Sequence, residues 1–96
     1  MTGLLHDRSR LSIVSLLAGS ATGELPFTFI REKTGLTAGN LSSHLRTLEN
    51  AGLVETVIEF HGRRPLTTIV LAPAGRQALD AAISEMEAIV REYRGE

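Results

Sequence analysis

Ninety-six residues predict a single domain, 1–96, with no separate effector-binding domain. Hydrophobic residues make up 43% of the chain, with no Trp, three Phe and one Tyr. A packed core must therefore rest on Leu, Ile, Val and Ala, and the composition argues against disorder. The absence of cysteine excludes disulfides, thiol nucleophiles and thiolate metal sites, and a formal net charge of −1 excludes a uniformly basic surface.

The opening Met1 to Arg8 lacks the apolar core of a signal peptide, and no apolar run approaches a membrane span. A soluble, cytoplasmic protein is expected. The first helix is expected within residues 1–19, with Asp7 as its N-cap and Gly19 as its stop. Leu11, Val14 and Leu17 share one face and Ile13 and Leu16 lie beside them. So wide an apolar arc buries two sides of a helix, one against its own domain and one against a partner. Residues 18–23 are a loop of small residues, and Glu24-Leu25-Pro26 reads as a short edge strand.

Thr28 is read as the cap of a brief helix over 29–34, ended by Gly35. Thr37 then caps a longer helix over about 38–50. Leu41, Leu45 and Leu48 form its apolar stripe, while Gly39, Ser43, Arg46 and Asn50 lie opposite, flanked by Asn40, Ser42 and Thr47. A solvated helix usually carries Glu and Lys there; this one is small and polar. Residues 24–52 thus read as a helix-turn-helix.

Residues 53–71 read as a wing. Val54, Thr56, Ile58 and Phe60 alternate on one strand, and Leu66, Thr68 and Val70 on the next. The connection His61-Gly62-Arg63-Arg64-Pro65 is a turn-like segment holding two arginines. Pro73 opens a last helix over 73–94, in which Leu79, Ile83, Met86, Val90 and Tyr93 recur at heptad spacing. Val90 and Tyr93 extend that seam past what a one-chain core needs, which favours a dimer contact.

Charge is unevenly placed. Residues 74–96 hold five acids and three arginines, whereas 1–73 hold seven basic and six acidic residues, with the Arg63-Arg64 pair standing apart from most acids. A basic tip is what a phosphate backbone meets, whatever the average. Gly39 and Ser43 keep the outer face of the 38–50 helix low enough to approach a major groove. Asn40 suits adenine, and Arg46 suits guanine or phosphate.

Catalysis and metal binding find little support. Ser42, Ser43 and His44 are adjacent, so on a helix they do not face one another. His6, His44 and His61 lack ligand spacing, and no cofactor motif is present. The reading from residues alone is a non-enzymatic, mainly α domain with a small β-hairpin, a winged helix-turn-helix. A winged-helix module that binds protein through the same surface is the alternative.

The stretch from Gly35 to Val54, with Gly35-Leu-Thr-Ala-Gly-Asn-Leu-Ser-Ser-His-Leu45 at its start, closely resembles winged-helix regulators of the MarR and ArsR superfamily. Gly62-Arg63-Arg64-Pro65 resembles their wing, and Leu71-Ala72-Pro73-Ala74-Gly75-Arg76 resembles their last helix start, with Ala72 where Thr is usual. The resemblance implies a compact three-helix core, a two- to three-stranded wing and a C-terminal dimerisation helix. It also implies a homodimeric transcriptional regulator on a pseudo-palindromic operator of double-stranded DNA. Thr37, Gly39, Asn40, Ser42, Ser43 and Arg46 carry over as recognition-helix residues, and Arg63 and Arg64 as wing contacts. The first and last helices, through Leu11, Val14, Leu79, Ile83, Met86, Val90 and Tyr93, are the implied dimer interface. His44 is either a DNA contact or a structural histidine. No residue signature points to a small-molecule effector.

Overall fold

The computed structural model describes residues 2–96. A short 3-10 turn, Thr2–His6, leads into helix α1, Arg8–Gly19. Strand β1, Glu24–Pro26, helix α2, Phe27–Thr34, and helix α3, Ala38–Asn50, follow. Strands β2, Val54–His61, and β3, Arg64–Leu71, form the hairpin, and helix α4, Pro73–Arg94, ends the fold. The three strands make one antiparallel sheet in the order β1-β3-β2. The winged helix-turn-helix expected from the sequence is the fold observed.

The core draws one layer from each element. Ile13, Val14 and Leu17 of α1 meet Ile30 of α2, the Leu41, Leu45 and Leu48 stripe of α3, Val54 and Ile69 of the sheet, and Leu79 and Ala82 of α4. Leu5, in the N-terminal turn, is completely buried beside them. Sequence periodicity gave no sign of it, because a turn this short has no period to read. Among the described residues no polar or charged residue is buried, so the interior is aliphatic, as the composition required.

Three local expectations are corrected. Helix α2 begins at Phe27 rather than after Thr28, and its N-cap Pro26 supplies no side-chain hydrogen bond. The fixed φ of proline, −63° here, leads directly from strand into helix. The wing loop is only Gly62-Arg63, since His61 already pairs with Arg64. Gly62 has φ +68°, and among the described residues only glycines have positive φ, so Arg63 does not, which matches a two-residue II′ hairpin turn with Gly first. The third correction concerns β3. Register places Leu71, Ile69 and Thr67 opposite Val54, Thr56 and Ile58, so the core-facing set is Ile69 and its alternates, not Leu66, Thr68 and Val70.

The start of α1 ties the N-terminus to α3. Asp7 Oδ1 accepts from the Arg10 backbone N–H at 3.0 Å, the N-cap expected of it. The Arg10 side chain donates from Nε to the Leu4 carbonyl at 2.8 Å and from a terminal nitrogen to His44 Nδ1 at 3.3 Å. Half-buried His44 is therefore bonded to α1 within the fold.

The Arg10 backbone N–H holds the Asp7 carboxyl below its ordinary value, with the charge of Arg10 assisting against the opposing effect of burial. A carboxyl lowered in the folded state contributes stability above its unfolded pKa, about 4, and loses it as pH falls through the lower folded value. Asp7→Ala is expected to cost about 1 kcal/mol at neutral pH. In urea titrations the gap from the parent protein should narrow below about pH 4; a gap constant down to pH 2 would show that the charge contributes nothing.

Candidate nucleic-acid interface

The exposed side of α3 is built by its cap. Thr37 Oγ1 accepts from the Asn40 N–H at 3.1 Å, which fixes the first turn with Ala38, Gly39 and Asn40 in solvent. Leu41, Leu45 and Leu48 anchor the opposite side in the core. Ser42, Ser43 and Arg46 are thereby turned outward, and all three are exposed.

Gly39 is the informative residue. A Cβ placed on it would meet no atom within 4 Å, and its φ is not positive. The fold therefore needs no glycine there, although a helical Gly costs about 0.5–1 kcal/mol relative to Ala. What the missing methyl does is lower the helix surface toward whatever approaches from outside.

Wing and helix form one continuous face. Glu49 Oε2 accepts from the Thr56 N–H at 3.2 Å, joining the end of α3 to the edge strand β2 and satisfying a donor that the open edge leaves free. Between them runs a groove lined by Ser42, Arg46 and Glu49 of α3 and by Thr56 and Thr67 of the sheet. Arg63 occupies the hairpin turn and Arg64 the first position of β3, both exposed. The eight DNA-contact residues expected from the sequence are thus all solvent-accessible, six on α3 and its cap and two at the wing tip. Glu49 was not among the expected residues; its role shows only when β2 is seen to lie at the sheet edge.

The implied dimer residues divide. Val14 is 0% exposed and Leu79 5%, so both belong to the core of a single chain and neither is available to a partner; this corrects their assignment. The reason is the N-terminal turn, which packs on α1 and α4 and covers that part of the seam. Leu11 and Met86 are partly buried against the same core. Ile83, Val90 and Tyr93 remain open, together with Ile89, which the heptad reading omitted. Among the described residues no cluster of His, Cys, Asp or Glu could hold a metal, and no helix is long and apolar enough to cross a membrane.

The geometry defines a winged helix-turn-helix, and comparison with known proteins agrees. The structure of a transcriptional regulator homologue from Pyrococcus horikoshii matches with TM-score 0.83 and 30% identity, over 95% of this chain and 88% of that one. A MarR family transcriptional regulator from Streptomyces coelicolor, solved in complex with DNA, shares the fold at TM-score 0.77 and 22% identity. This chain spans 57% of that longer one and is itself covered over 93%. An uncharacterized protein of Methanocaldococcus jannaschii is 39% identical over 77 residues, 80% of this chain and 82% of its own. The model of the family described as winged helix DNA-binding domain matches residues 9–90. The chain belongs to that family.

Proposed function

We propose that the protein is a sequence-specific transcriptional regulator that binds a pseudo-palindromic duplex operator as a homodimer. The observation that carries the reading is the outer face of α3, where Gly39 is left bare for no internal reason among Asn40, Ser42, Ser43 and Arg46. Base edges in a major groove are reached by such a face: Asn40 offers a bidentate partner for adenine, and Arg46 one for guanine. Arg63 and Arg64 supply phosphate or minor-groove contacts beside it. A protein-binding module that used α3 would need large apolar residues on that helix's outer face, and residues 37–43 expose none.

The dimer has support of its own. A monomer of 10.4 kDa is expected to expose about 5,400 Å², whereas this chain exposes 6319 Å². Its radius of gyration, 14.6 Å, also exceeds the roughly 12.5 Å of a compact domain this long. Part of that surplus is the distal half of α4, where Ile83, Ile89, Val90 and Tyr93 stand in solvent. Pairing α4 with its copy would cover them and set two recognition helices on one face of DNA, with half-sites about one helical turn apart or a multiple of it.

Selection of binding sites from a random duplex pool, followed by salt-titrated anisotropy, tests the reading. A two-fold symmetric consensus bound by two chains is expected. Gly39→Ala should raise folding stability by about 0.5–1 kcal/mol and weaken binding of the selected duplex at the same time. Equal affinity in the more stable variant would remove the close approach of α3 from the proposal.

A further inference from the structure

We propose that Ile58 and Phe60 form an apolar contact between the wing and the minor groove, adding a part of the binding that salt does not screen and that favours A·T pairs. The inference rests on the DNA-binding reading above and names two residues that it does not use.

Both side chains are large and open: Ile58 is 60% exposed and Phe60 70%. They lie on a definite side of the hairpin. Thr56 and Thr67 line the groove shared with Ser42 and Arg46 of α3, and Thr67 pairs with Ile58. Strand alternation keeps Thr56, Ile58 and Phe60 on one face, so the last two continue the recognition face outward. Their cross-strand partners there are Thr67 and Pro65, neither of them charged. The carboxylates of β2, Glu55 and Glu59, alternate to the other face. The strand residues on the side of the wing that continues the recognition surface are therefore free of acids and lead to Arg63 in the turn, while Arg64, paired with His61, alternates to the other face.

Reach agrees with that assignment. Four residues of strand separate Thr56 from Phe60, about 13 Å. With α3 centred in a major groove, the neighbouring minor groove lies half a helical turn away, about 17 Å. The tip arginines lie slightly beyond Phe60 and would meet the flanking phosphates. A minor groove suits apolar side chains because its walls are deoxyribose edges, and wedges of this type are a recurrent way to occupy it. At A·T pairs its floor presents only acceptors, while G·C adds the protruding N2 amino group, which would strike the Phe60 ring.

A second copy of the chain is a poorer occupant for this face. Two-fold pairing of wing tips would bring Arg63 and Arg64 of both protomers together, and like charges across an interface are unfavourable.

The test uses the full chain and a duplex recovered by the selection described above. Phe60→Ala is expected to lower affinity about tenfold, the loss appropriate to an aromatic side chain no longer buried. The dependence of log affinity on log salt should stay parallel to that of the parent protein, and the thermal midpoint should not move. Replacing flanking A·T pairs by G·C should weaken the parent protein but not Phe60→Ala. Inosine·C pairs, which lack the amino group, should restore parent binding. Unchanged affinity in Phe60→Ala and in Ile58→Ser overturns the proposal while leaving the DNA reading intact. A change in the sedimentation of the free variant overturns it in favour of a protein contact. A parent protein that binds no duplex defeats both readings together.

Discussion

Alanine at both Arg63 and Arg64 is expected to weaken binding to every duplex alike and to flatten its salt dependence. Each phosphate neutralised by a cation contributes about −0.9 to the slope of log affinity against log salt. Two lost contacts should therefore reduce the slope by about 1.8. Over a fourfold rise in salt each contact is worth about 3.5-fold, so the pair together is worth about twelvefold. The variant should fold normally, because Arg63 and Arg64 are exposed and neither makes a side-chain hydrogen bond or ion pair among the described residues. The near-neutral whole, with 10 basic and 11 acidic residues, makes these two charges a large share of what DNA meets. An unchanged slope with unchanged affinity would remove the wing from the interface.

The contrast with Phe60 separates two kinds of contact at one tip. The arginines act through charge and are screened by salt; an aromatic ring in a groove is not. Measured on the same duplex, the two variants should differ in slope even where they agree in affinity at a single salt concentration.

What could be read from the sequence depended on how far each signal was from a second solution. The α3 stripe of Leu41, Leu45 and Leu48 was legible because its opposite face holds no competing apolar residue, and all three are in the core. β3 was not. Leu66-Thr67-Thr68-Ile69-Val70-Leu71 is apolar on both phases, so alternation alone does not choose a face. The choice is made by the turn. Once Gly62-Arg63 is a two-residue loop, Val54 must oppose Leu71 and Thr56 must oppose Ile69; a longer loop left that register free.

The α4 seam failed in a different way. Its heptad spacing was correct, but spacing does not say which element covers each position. Leu79 is covered within the chain by the aperiodic N-terminal turn and α1, and only the distal half is left for a partner. The candidate site was legible as residue types on one helix face. That Ile58 and Phe60 belong to the same surface required the register.

The two glycines within helices α3 and α4 are expected to respond to alanine with opposite signs. Gly75 lies in the first turn of α4 and is buried. A Cβ built there would fall inside van der Waals contact of the Leu53 carbonyl oxygen and 2.6 Å from Leu71 Cδ1. The close approach follows from how the chain turns. The Ala72 N–H donates to the Leu53 carbonyl at 3.0 Å, which lays the start of α4 directly on the segment joining α3 to β2. Propensity alone would make Gly75→Ala stabilising by about 1 kcal/mol. Overpacking against a backbone atom costs about 1–3 kcal/mol and should win, because the Leu53 carbonyl cannot rotate away without losing its bond to Ala72. Leu71→Ala in the same chain would relieve only the side-chain half of the clash and should not restore stability. Urea denaturation of Gly39→Ala, Gly75→Ala and the Gly75→Ala/Leu71→Ala pair measures all three. A stabilised Gly75→Ala would mean that α4 starts farther from Leu53 than the geometry places it. The position of the exposed distal half of α4 would then have to be redrawn with it.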